Sequence, residues 1–353
     1  MSGPQNLSFV LNKPFDVVFE DRPIPQLEDP HFVKIQVKKT GICGSDVHYY
    51  AHGAIGDFVV KSPMVLGHES SGIVIEVGAN VTTLKVGDKV AMEPGVPSRY
   101  SEEYKAGRYN LCPCMKFAAT PPYDGTLCKY YQLPEDFCVK LPEHVSLEEG
   151  ALVEPLSVAV HSSKLANVTV GSKVAVYGAG PVGLLIAAVA KAFGASSVVV
   201  ADIVQQRLDL AKQMGATHTY LVKIGDSAEV NAENISAAAN GVKPDIVFDA
   251  SGAEASINSA IHLVKAGGTF IQVGMGKSHI SFPITEIIGK ELVVKGSFRY
   301  GVGDYKTAVE LVSSGKVDVL KLVTHTVKFD QCKEAFELVK SGKAVKCIIE
   351  GPE

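Results

Sequence analysis

The sequence has little net charge and no long block of charges of one sign. Its 353 residues include 34 lysines and arginines against 38 aspartates and glutamates, which gives a formal net charge of −4. No run of five like charges occurs. Proteins that attract nucleic acids electrostatically carry a basic surface, so this balance argues against nucleic-acid binding.

Cysteine is also scarce, and the seven cysteines are an odd number spread along the chain. The opening residues, MSGPQNLSFV, do not follow the pattern of a secretory signal peptide. Both features argue against a secreted fold held together by disulfides. We therefore expect reduced thiols and a cytoplasmic protein.

The sequence lacks an uninterrupted apolar stretch that would read as a membrane span. Residues 174–190 carry no charge, but Gly178, Gly180, Pro181 and Gly183 lie within them. A β-branched run, a glycine turn, a helix-forming run and a second β-branched run follow one another. A buried parallel βαβ unit has this pattern, so we expect no membrane association.

The length predicts two domains, because one domain commonly spans about 150 residues. The first 150 residues favour a compact antiparallel β-rich domain. Residues 33–37 alternate with a period of two, residues 72–78 form a short strand between glycines, and turn residues recur. Residues 94–125, rich in proline and tyrosine, are predicted to form an irregular excursion that we call the lobe.

From about residue 155 the pattern changes to strands that alternate with helices. We predict strands near residues 174–177, 198–201, 219–222, 246–249, 269–273 and 292–297. Helices are predicted over residues 181–193, 203–214 and 254–265. Six strands joined by right-handed crossovers make a doubly wound parallel sheet, so the fold class of this part is α/β.

The first predicted strand of this sheet leads into a glycine-rich turn. Gly178, Gly180 and Gly183 follow the pattern G-x-G-x-x-G between a strand and a helix. The first glycine permits a tight turn, the second lets a pyrophosphate approach the backbone, and the third lets helix and sheet pack closely. This is the fingerprint of a Rossmann dinucleotide-binding domain.

An acidic residue follows at the spacing that the fingerprint requires. Asp202 lies 19 residues after Gly183, at the end of the second strand, where its carboxylate could accept hydrogen bonds from both adenosine ribose hydroxyls. A 2′-phosphate would be repelled there, so we predict NAD rather than NADP. Arg207 could stack on adenine or contact the ribose. The alternative is a turn without a ligand, with Asp202 as a helix cap.

Four residues of the first 155 form a candidate set of zinc ligands. Cys43 lies in a glycine-flanked turn, His68 and Glu69 are adjacent, and Glu154 lies at the predicted domain junction. Three protein ligands with one open position is the pattern of a catalytic zinc site. The spacing leaves an alternative open, in which Cys43 is a small buried hydrophobe and His68 a core histidine.

The same residues resemble a known family. Residues 67–72 (GHESSG), followed by Gly78 and Val81, are similar to the zinc signature of medium-chain dehydrogenases/reductases, and the glycine fingerprint follows in the expected order. Within that family the chain resembles the polyol branch, the sorbitol and xylitol dehydrogenases, and the xylitol dehydrogenases most. The supporting stretches are residues 41–50 (GICGSDVHYY), 117–122 (FAATPP), 149–158 (EGALVEPLSV), 252–256 (GAEAS) and 296–300 (GSFRY).

The resemblance implies a domain organisation and a metal site. It implies a GroES-like β-rich catalytic domain over residues 1–157 and 298–353, with a Rossmann NAD-binding domain over 158–297. It implies one catalytic zinc on Cys43, His68 and Glu69. Glu154 would lie beside the metal, as a ligand or holding its bound water.

The resemblance also implies a reaction. Zinc would lower the pKa of a polyol hydroxyl so that an alkoxide forms, and hydride would pass to NAD, converting xylitol to D-xylulose and also sorbitol to fructose. Glu154, or Ser45 with His48, would carry the proton away. The alternatives are an ordinary turn serine for Ser45 and a solvated histidine for His48.

Further residues match the positions that contact substrate or cofactor in this family. The implied substrate contacts are Tyr50, Glu154, Arg299 and Tyr300, with Ser45, Phe117 and Thr120 lining the pocket. The implied cofactor contacts beyond the fingerprint are Val182, Val273, Gly274, Met275, Ser297, Phe298 and Arg299. For Arg299 a cofactor or domain-interface contact is the alternative to substrate binding.

The chain departs from the family at a second metal site. Many relatives hold a structural zinc on four cysteines spaced C-x2-C-x2-C-x7-C. The corresponding residues here are Ser98, Ser101, Tyr104 and Cys112. One thiolate cannot build a tetrahedral site, so we expect no structural zinc.

Several alternatives stay open at this point. Sorbitol (L-iditol) dehydrogenase could be the main activity, or the chain could be another zinc alcohol dehydrogenase. An inactive relative would have lost part of the metal or nucleotide motif, and a zinc hydrolase would leave the glycine fingerprint unexplained. The resemblance implies a homo-oligomer, with a tetramer favoured over a dimer.

Overall fold

The structure is a computed structural model that describes residues 6–353 and divides them into two compact units. The first unit contains the described residues up to Glu154, together with Gly301–Ser313 and Leu322–Glu353. The second contains Pro155–Tyr300 and Ser314–Lys321. The predicted domains also have an inserted segment in this part of the chain, but they assign residues 155–157, 298–300 and 314–321 to the outer domain. The structure groups them with the inserted unit, in which Lys321 Nζ donates to the carbonyl of Gln213 at 3.2 Å.

The elements of the chain up to residue 165 are mainly strands. The strands are β1 (Leu7–Lys13), β2 (Asp16–Asp21), β3 (Phe32–Gly41), β4 (Ala54–Ile55), β5 (Phe58–Val59), β6 (Met64–Val65), β7 (Glu69–Val77), β8 (Lys89–Met92), β9 (Gly95–Val96), β10 (Lys116–Phe117), β11 (Tyr130–Pro134) and β12 (Cys138–Lys140). The helices are α1 (Gly44–His52), α2 (Glu102–Lys105), α3 (Leu147–Ala151) and α4 (Val153–Leu165), with 3-10 turns at Tyr109–Leu111 and Glu135–Phe137.

The remaining elements alternate and then return to the first unit. The alternating elements are β13 (Lys173–Tyr177), α5 (Pro181–Ala192), β14 (Ser197–Asp202), α6 (Gln205–Gln213), β15 (His218–Leu221), α7 (Ala228–Ala238), β16 (Ile246–Asp249), α8 (Glu254–Leu263), β17 (Thr269–Gln272), α9 (Ile284–Lys290) and β18 (Val293–Gly296). They are followed by α10 (Asp304–Ser313), β19 (Val323–Val327), α11 (Cys332–Lys340) and β20 (Lys346–Glu350), with 3-10 turns at Val319–Leu322 and Phe329–Gln331.

A seven-stranded sheet forms the centre of the first unit. Its strands lie in the order β12-β8-β7-β3-β20-β19, and β11 also pairs with β3. The predicted alternation is visible in β3, where Val33, Ile35 and Val37 are buried. Strand β7 begins earlier than predicted, at Glu69, because Gly41 at the end of β3 pairs with it. Strand β7 thus begins within the Gly67-His68-Glu69 motif, three residues before the start that the hydrophobic pattern alone predicts.

The second unit contains a six-stranded parallel sheet in the order β15-β14-β13-β16-β17-β18. All six predicted strands are present within two residues of their predicted bounds, and the α/β fold class is confirmed. The uncharged run at 174–190 forms β13 and most of α5, both buried in the sheet and its covering layer. Among residues 6–353, no helix is long and apolar enough to cross a membrane.

Candidate functional site

A buried aspartate fixes the two chain segments that carry the predicted metal ligands. Cys43 is the N-cap of α1, directly after β3, with extended backbone angles. Asp46 in the first turn is fully buried and accepts from the backbone N–H of Cys43 at 3.4 Å and from that of Gly67 at 3.0 Å. The cysteine turn and the histidine segment are therefore attached to one carboxylate.

Gly67 makes the sharp entry into β7 that His68 and Glu69 require. Its φ of +90° lies in the left-handed region, and a Cβ there would meet Leu127 Cγ at 2.7 Å. The turn brings ligand atoms of Cys43, His68 and Glu69 within 4.8 Å of one another. We call these three residues the metal cluster. Among residues 6–353 it is the only group of three or more His, Cys, Asp or Glu side chains with ligand atoms this close.

The donor set of the metal cluster fits zinc. Zinc binds thiolate, imidazole and carboxylate together, and three protein ligands leave one position for substrate or water. His68 Nδ1 lies 3.3 Å from Asp46 Oδ2, which leaves Nε2 for a metal. Phe117 covers the imidazole, with ring centroids 5.7 Å apart.

The surroundings of His68 favour its cationic form. Burial lowers the pKa of His68, but the interactions with Asp46 and Cys43 outweigh burial, so the pKa is raised well above its ordinary value. A metal ion would replace that proton, because zinc binds the neutral imidazole.

Lys346, which could not be identified from the sequence, is the buried partner of Glu69. Lys346 Nζ, at the start of β20, donates to the two carboxylate oxygens of Glu69 at 2.8 and 2.7 Å and to the carbonyl of Ile42 at 3.1 Å. Lys346 is 2% exposed and Glu69 1%. A carboxylate has about four lone-pair sites, so Glu69 keeps acceptor capacity for a metal. The only signal in the sequence was a lysine within an apolar strand.

Glu154 is buried in the first turn of α4, and its charge acts on Lys346 and on Glu93. Of the two residues predicted to carry a proton, Ser45 is half-buried and His48 is exposed. The His48 ring lies 4.6 Å from that of His52. His48 therefore occupies the solvent end of any path through α1.

The structure argues against one predicted substrate contact. Tyr50 is 1% exposed, packs edge-on against Phe15 and Phe336, and donates its hydroxyl to Glu337 at 2.6 Å. This geometry gives Tyr50 a packing role in the core of the first unit. Thr120, by contrast, is half-buried three residues after Phe117, and its backbone N–H donates to the Phe117 carbonyl.

The glycine turn of the second unit has the geometry of a phosphate cradle. A Cβ at Gly183 would lie 1.8 Å from the carbonyl oxygen of Gly178, so only glycine allows this approach of α5 to the turn. A Cβ at Gly180, the N-cap of α5, would project into open space. The backbone is therefore uncovered at Gly180, and the N-terminus of a helix is a type of site that binds phosphate.

Asp202 stabilises this turn directly. Its Oδ2 accepts from the backbone N–H of Ala179 at 2.6 Å, and its Oδ1 accepts from that of Val204 at 2.8 Å. These two bonds use about half of the acceptor sites of the carboxylate. The remaining sites leave capacity for ribose hydroxyls, which the predicted ligand role of Asp202 requires. Arg207, five residues later in α6, is half-buried.

The other predicted cofactor positions follow β17 and β18. Gln272 Nε2 donates to Asp249 Oδ2 and to the carbonyl of Gly274, both at 2.7 Å, and so holds the segment after β17. Ser297 Oγ is buried without a hydrogen-bond partner among the described residues. The other members of this set differ in exposure: Val182 and Val273 are half-buried, and Met275 and Phe298 are exposed.

Arg299 and Tyr300 end the longer of the two segments that form the second unit. The Arg299 guanidinium lies 4.7 Å from the centroid of the Phe298 ring, and Arg299 has a left-handed backbone with φ of +55°. Tyr300 is 1% exposed. A left-handed backbone at a residue other than glycine is strained and is commonly held in place at functional sites.

Comparisons with known proteins agree with both units. The chain matches the family model of the alcohol dehydrogenase GroES-like domain over residues 29–143 and that of the zinc-binding dehydrogenases over residues 181–314. It is 60% identical to D-xylulose reductase A of Aspergillus niger over 351 residues, which cover 99% of this chain and 98% of that protein. The chain belongs to the zinc-dependent medium-chain dehydrogenase family.

Solved structures of other dehydrogenases have the same fold. L-idonate 5-dehydrogenase from Escherichia coli has a TM-score of 0.89 at 31% identity, with 98% of both chains covered. A structure described as a short chain alcohol dehydrogenase from Escherichia coli, complexed with NADH, has a TM-score of 0.88 at 28% identity and covers 98% of this chain and 99% of that one.

In this dehydrogenase, hydrogen bonds surround the one cysteine of the lobe that matches a structural zinc ligand. Cys112 is 5% exposed, and its Sγ accepts from the backbone N–H of Ser98 at 3.5 Å. Ser101 caps α2 by accepting from the N–H of Tyr104 at 3.1 Å, and its hydroxyl also bonds the sulfur. Burial raises the pKa of Cys112, but these hydrogen bonds outweigh burial and lower it overall.

Proposed function

We propose that this dehydrogenase oxidises a polyol, xylitol to D-xylulose, with NAD as the hydride acceptor and one catalytic zinc on Cys43, His68 and Glu69. The observation that carries the proposal is the convergence of these three ligand types within 4.8 Å in a buried site. The 60% identity to a D-xylulose reductase over the whole chain supports the choice of substrate.

Bound zinc supplies a Lewis acid for the reacting hydroxyl, and bound NAD accepts the hydride. The residues of the chain hold the metal in one geometry. Asp46 orients the imidazole of His68, and Lys346 orients the carboxylate of Glu69. The Cys43 thiolate and the Glu69 carboxylate together offset the charge of a divalent ion.

Glu154 is the residue that we assign to the proton of the substrate hydroxyl. Its buried carboxylate lies where its charge acts on Lys346, next to Glu69. Ser45 and His48 offer the route outward, because His48 is exposed on α1. Glu154 would lie beside the metal, as a ligand or holding its bound water.

For the cofactor, the second unit favours NAD over NADP. The carboxylate of Asp202 lies at the end of β14 and would repel a 2′-phosphate. Gly178, Gly180 and Gly183 provide the phosphate turn. The remaining contacts that we assign to the cofactor are Val182, Arg207, Val273, Gly274, Met275, Ser297, Phe298 and Arg299.

For the substrate, polar groups along an extended chain of hydroxyls give the specificity. A buried site rejects molecules that leave its donors and acceptors unpaired. We assign these contacts to Glu154, Arg299 and Tyr300, with Ser45, Phe117 and Thr120 lining the pocket. Sorbitol is the second substrate to test, because it has the same reacting end as xylitol.

Three further properties belong to this proposal. The lobe holds no structural zinc, because only Cys112 of the four ligand positions is a cysteine. The enzyme works in the cytoplasm, where its seven free cysteines stay reduced. It is a homo-oligomer, a tetramer rather than a dimer, and the exposed Val293 and Val294 of edge strand β18 support association.

The test is the appearance of NADH with xylitol, sorbitol, ethanol and threonine, each with NAD and with NADP. We expect the highest kcat/KM with xylitol and NAD. A chelator should remove the activity, and zinc should restore it. Full activity after complete metal removal, or a preference for ethanol or threonine, would overturn the proposal.

A further inference from the structure

A buried acid of the first unit has no part in the reaction described so far. Glu93 follows β8, is 6% exposed, and its backbone N–H donates to the Phe137 carbonyl at 2.9 Å. Its Oε1 contacts the hydroxyl of Tyr109, which comes from the lobe and is 7% exposed. The same hydroxyl lies 3.2 Å from the carbonyl oxygen of Gly301.

The number of protons available between Glu93, Tyr109 and Gly301 indicates the protonation state of Glu93. A tyrosine hydroxyl has one proton to donate, yet it faces a carboxyl oxygen and a carbonyl oxygen. If Glu93 carries a proton, it donates to the Tyr109 oxygen, and Tyr109 donates to Gly301. Both contacts are then hydrogen bonds, whereas an ionised Glu93 would leave one pair of acceptors without a donor.

The surroundings of Glu93 also favour its protonated form. Burial raises its pKa, a hydrogen bond donated by Tyr109 to the carboxylate would lower it in part, and the charges of Asp136, Asp304 and Glu154 raise it further, to about 8. At neutral pH the carboxyl group is therefore largely neutral.

Gly301 is held at both of its backbone polar groups. Its N–H donates to Asp304 Oδ2 at 2.7 Å, and its carbonyl accepts from Tyr109. Two residues earlier, Arg299 has the strained φ of +55°. A strained residue persists only where neighbouring anchors fix the chain, and Gly301 is such an anchor.

We propose that Glu93 is a neutral carboxylic acid whose proton lets Tyr109 hold the Gly301 carbonyl, which fixes the chain directly after Arg299 and Tyr300. Glu93 and Tyr109 are thus positioning residues for polyol binding. The inference rests on the proposed function for the role of Arg299 and Tyr300, but the protonation state of Glu93 stands independently.

The first experiment compares three variants of the zinc-loaded enzyme. Glu93→Gln is a neutral isostere whose amide can donate to Tyr109, so KM for xylitol should stay within about twofold. Glu93→Ala and Tyr109→Phe remove the link to Gly301. Loss of one such hydrogen bond should raise KM for xylitol about fivefold to tenfold, with KM for NAD unchanged and kcat little changed. Tyr109→Phe preserves the ring that packs on Phe137, so it remains informative if Glu93→Ala does not fold.

The second experiment observes the proton directly. The infrared difference spectrum of wild type minus Glu93→Gln at pH 7 should contain the carbonyl stretch of a protonated carboxylic acid, and that band should shift in D₂O. A merely structural role for Glu93 would not require this band.

Two results would overturn the inference: absence of the carboxylic acid band, or a KM in Glu93→Gln as high as in Glu93→Ala. Failure of the proposed function looks different. In that case wild type would oxidise neither xylitol nor sorbitol, while the band would still report the proton, and KM would be measured with the alcohol that the enzyme does oxidise.

Discussion

The metal cluster and the lobe each surround a cysteine with polar side chains of the first unit, but they do so with different chemistry. Around Cys43 the partners are charged or chargeable: His68 with Asp46 behind it, and Glu69 with Lys346 behind it. Around Cys112 they are the neutral hydroxyl and amide groups of Ser98 and Ser101. The first region presents ligands to a cation, whereas in the second the sulfur accepts from the Ser98 N–H and donates to the Ser98 hydroxyl.

The difference shows what a thiol needs in order to belong to a metal site. Each ligand of the metal cluster that requires orientation has a buried partner, and such partners fix the direction of the lone pairs. Around Cys112, hydrogen-bonding groups of Ser98 and Ser101 occupy the positions at which a metal site would have further ligands. The following predictions test this difference.

The largest effect should come from replacing Cys43 by alanine, compared with the same replacement at Cys112. Cys43→Ala removes a ligand and its charge, so we expect loss of zinc and a fall in kcat/KM of about a thousandfold, equal to several kcal/mol of barrier. Metal analysis and NADH absorbance measure both. Cys112→Ala is the matched control and should retain zinc and nearly all activity. Zinc retained by Cys43→Ala would contradict the assignment.

The next effect concerns the partner behind Glu69. Lys346→Met leaves a buried carboxylate without its cation, so Glu69 loses its orientation. We expect zinc affinity, measured by competition with a chelator, to fall about tenfold to a hundredfold. Lys39→Met is the control, because it removes a more exposed ion pair with Glu350 that joins the same two strands, β3 and β20. Equal zinc affinities in the two variants would remove Lys346 from the site.

A third experiment converts the lobe towards the metal cluster. Ser98→Cys, Ser101→Cys and Tyr104→Cys together with Cys112 supply four thiols at the spacing of a structural zinc site. The zinc content should rise from one to two ions per chain, and Tm should rise by about 5 °C or more. Differential scanning with and without zinc measures this. Binding of a single ion per chain would show that the lobe backbone does not fit a tetrahedral site.

The smallest effect is the pH dependence of the lobe. The pKa of Cys112 is lower when folded than when unfolded, so the folded state loses its proton first. Stability from this thiolate is therefore present above the unfolded pKa of about 8.5 and is lost as pH falls through the folded pKa. The Tm difference between wild type and Cys112→Ser should widen as pH rises from 7 to about 9. A constant difference would mean that Cys112 is bound as a neutral thiol.

The second unit was the part of the molecule that could best be predicted from the sequence. Each of its strands contains β-branched residues, and every pair except β13 with β16 joins strands that are consecutive in sequence, so local pattern and topology rules suffice. The ligand types of the metal cluster were visible for a different reason, since Gly67, His68 and Glu69 form a compact motif.

Partners brought together over long sequence distances could not be predicted. Lys346 reaches Glu69 across 277 residues, through the pairing of β20 with β3, and no local pattern encodes that pairing. Glu93 and Gly301 meet through Tyr109 in the same way. The burial of Tyr50, however, could have been predicted from the sequence, because Asp46, Tyr49 and Tyr50 lie on one face of α1 at helical spacing.

The pairing of β3 with β20 also has a consequence for synthesis on the ribosome. Lys39 and Glu350 in these strands are 311 residues apart, so translation of the intervening chain takes roughly 15 to 60 s. During that interval β11 covers residues 32–36 of β3, but residues 39–41 have no neighbour on the side that β20 later occupies, and such an open strand edge can recruit other chains. The hydrogen bonds between Lys346 and Glu69 likewise form only after Lys346 has been added to the chain. The sheet that carries the metal ligands is therefore completed only after β20 has been made, and the growing chain exposes this part of β3 until then.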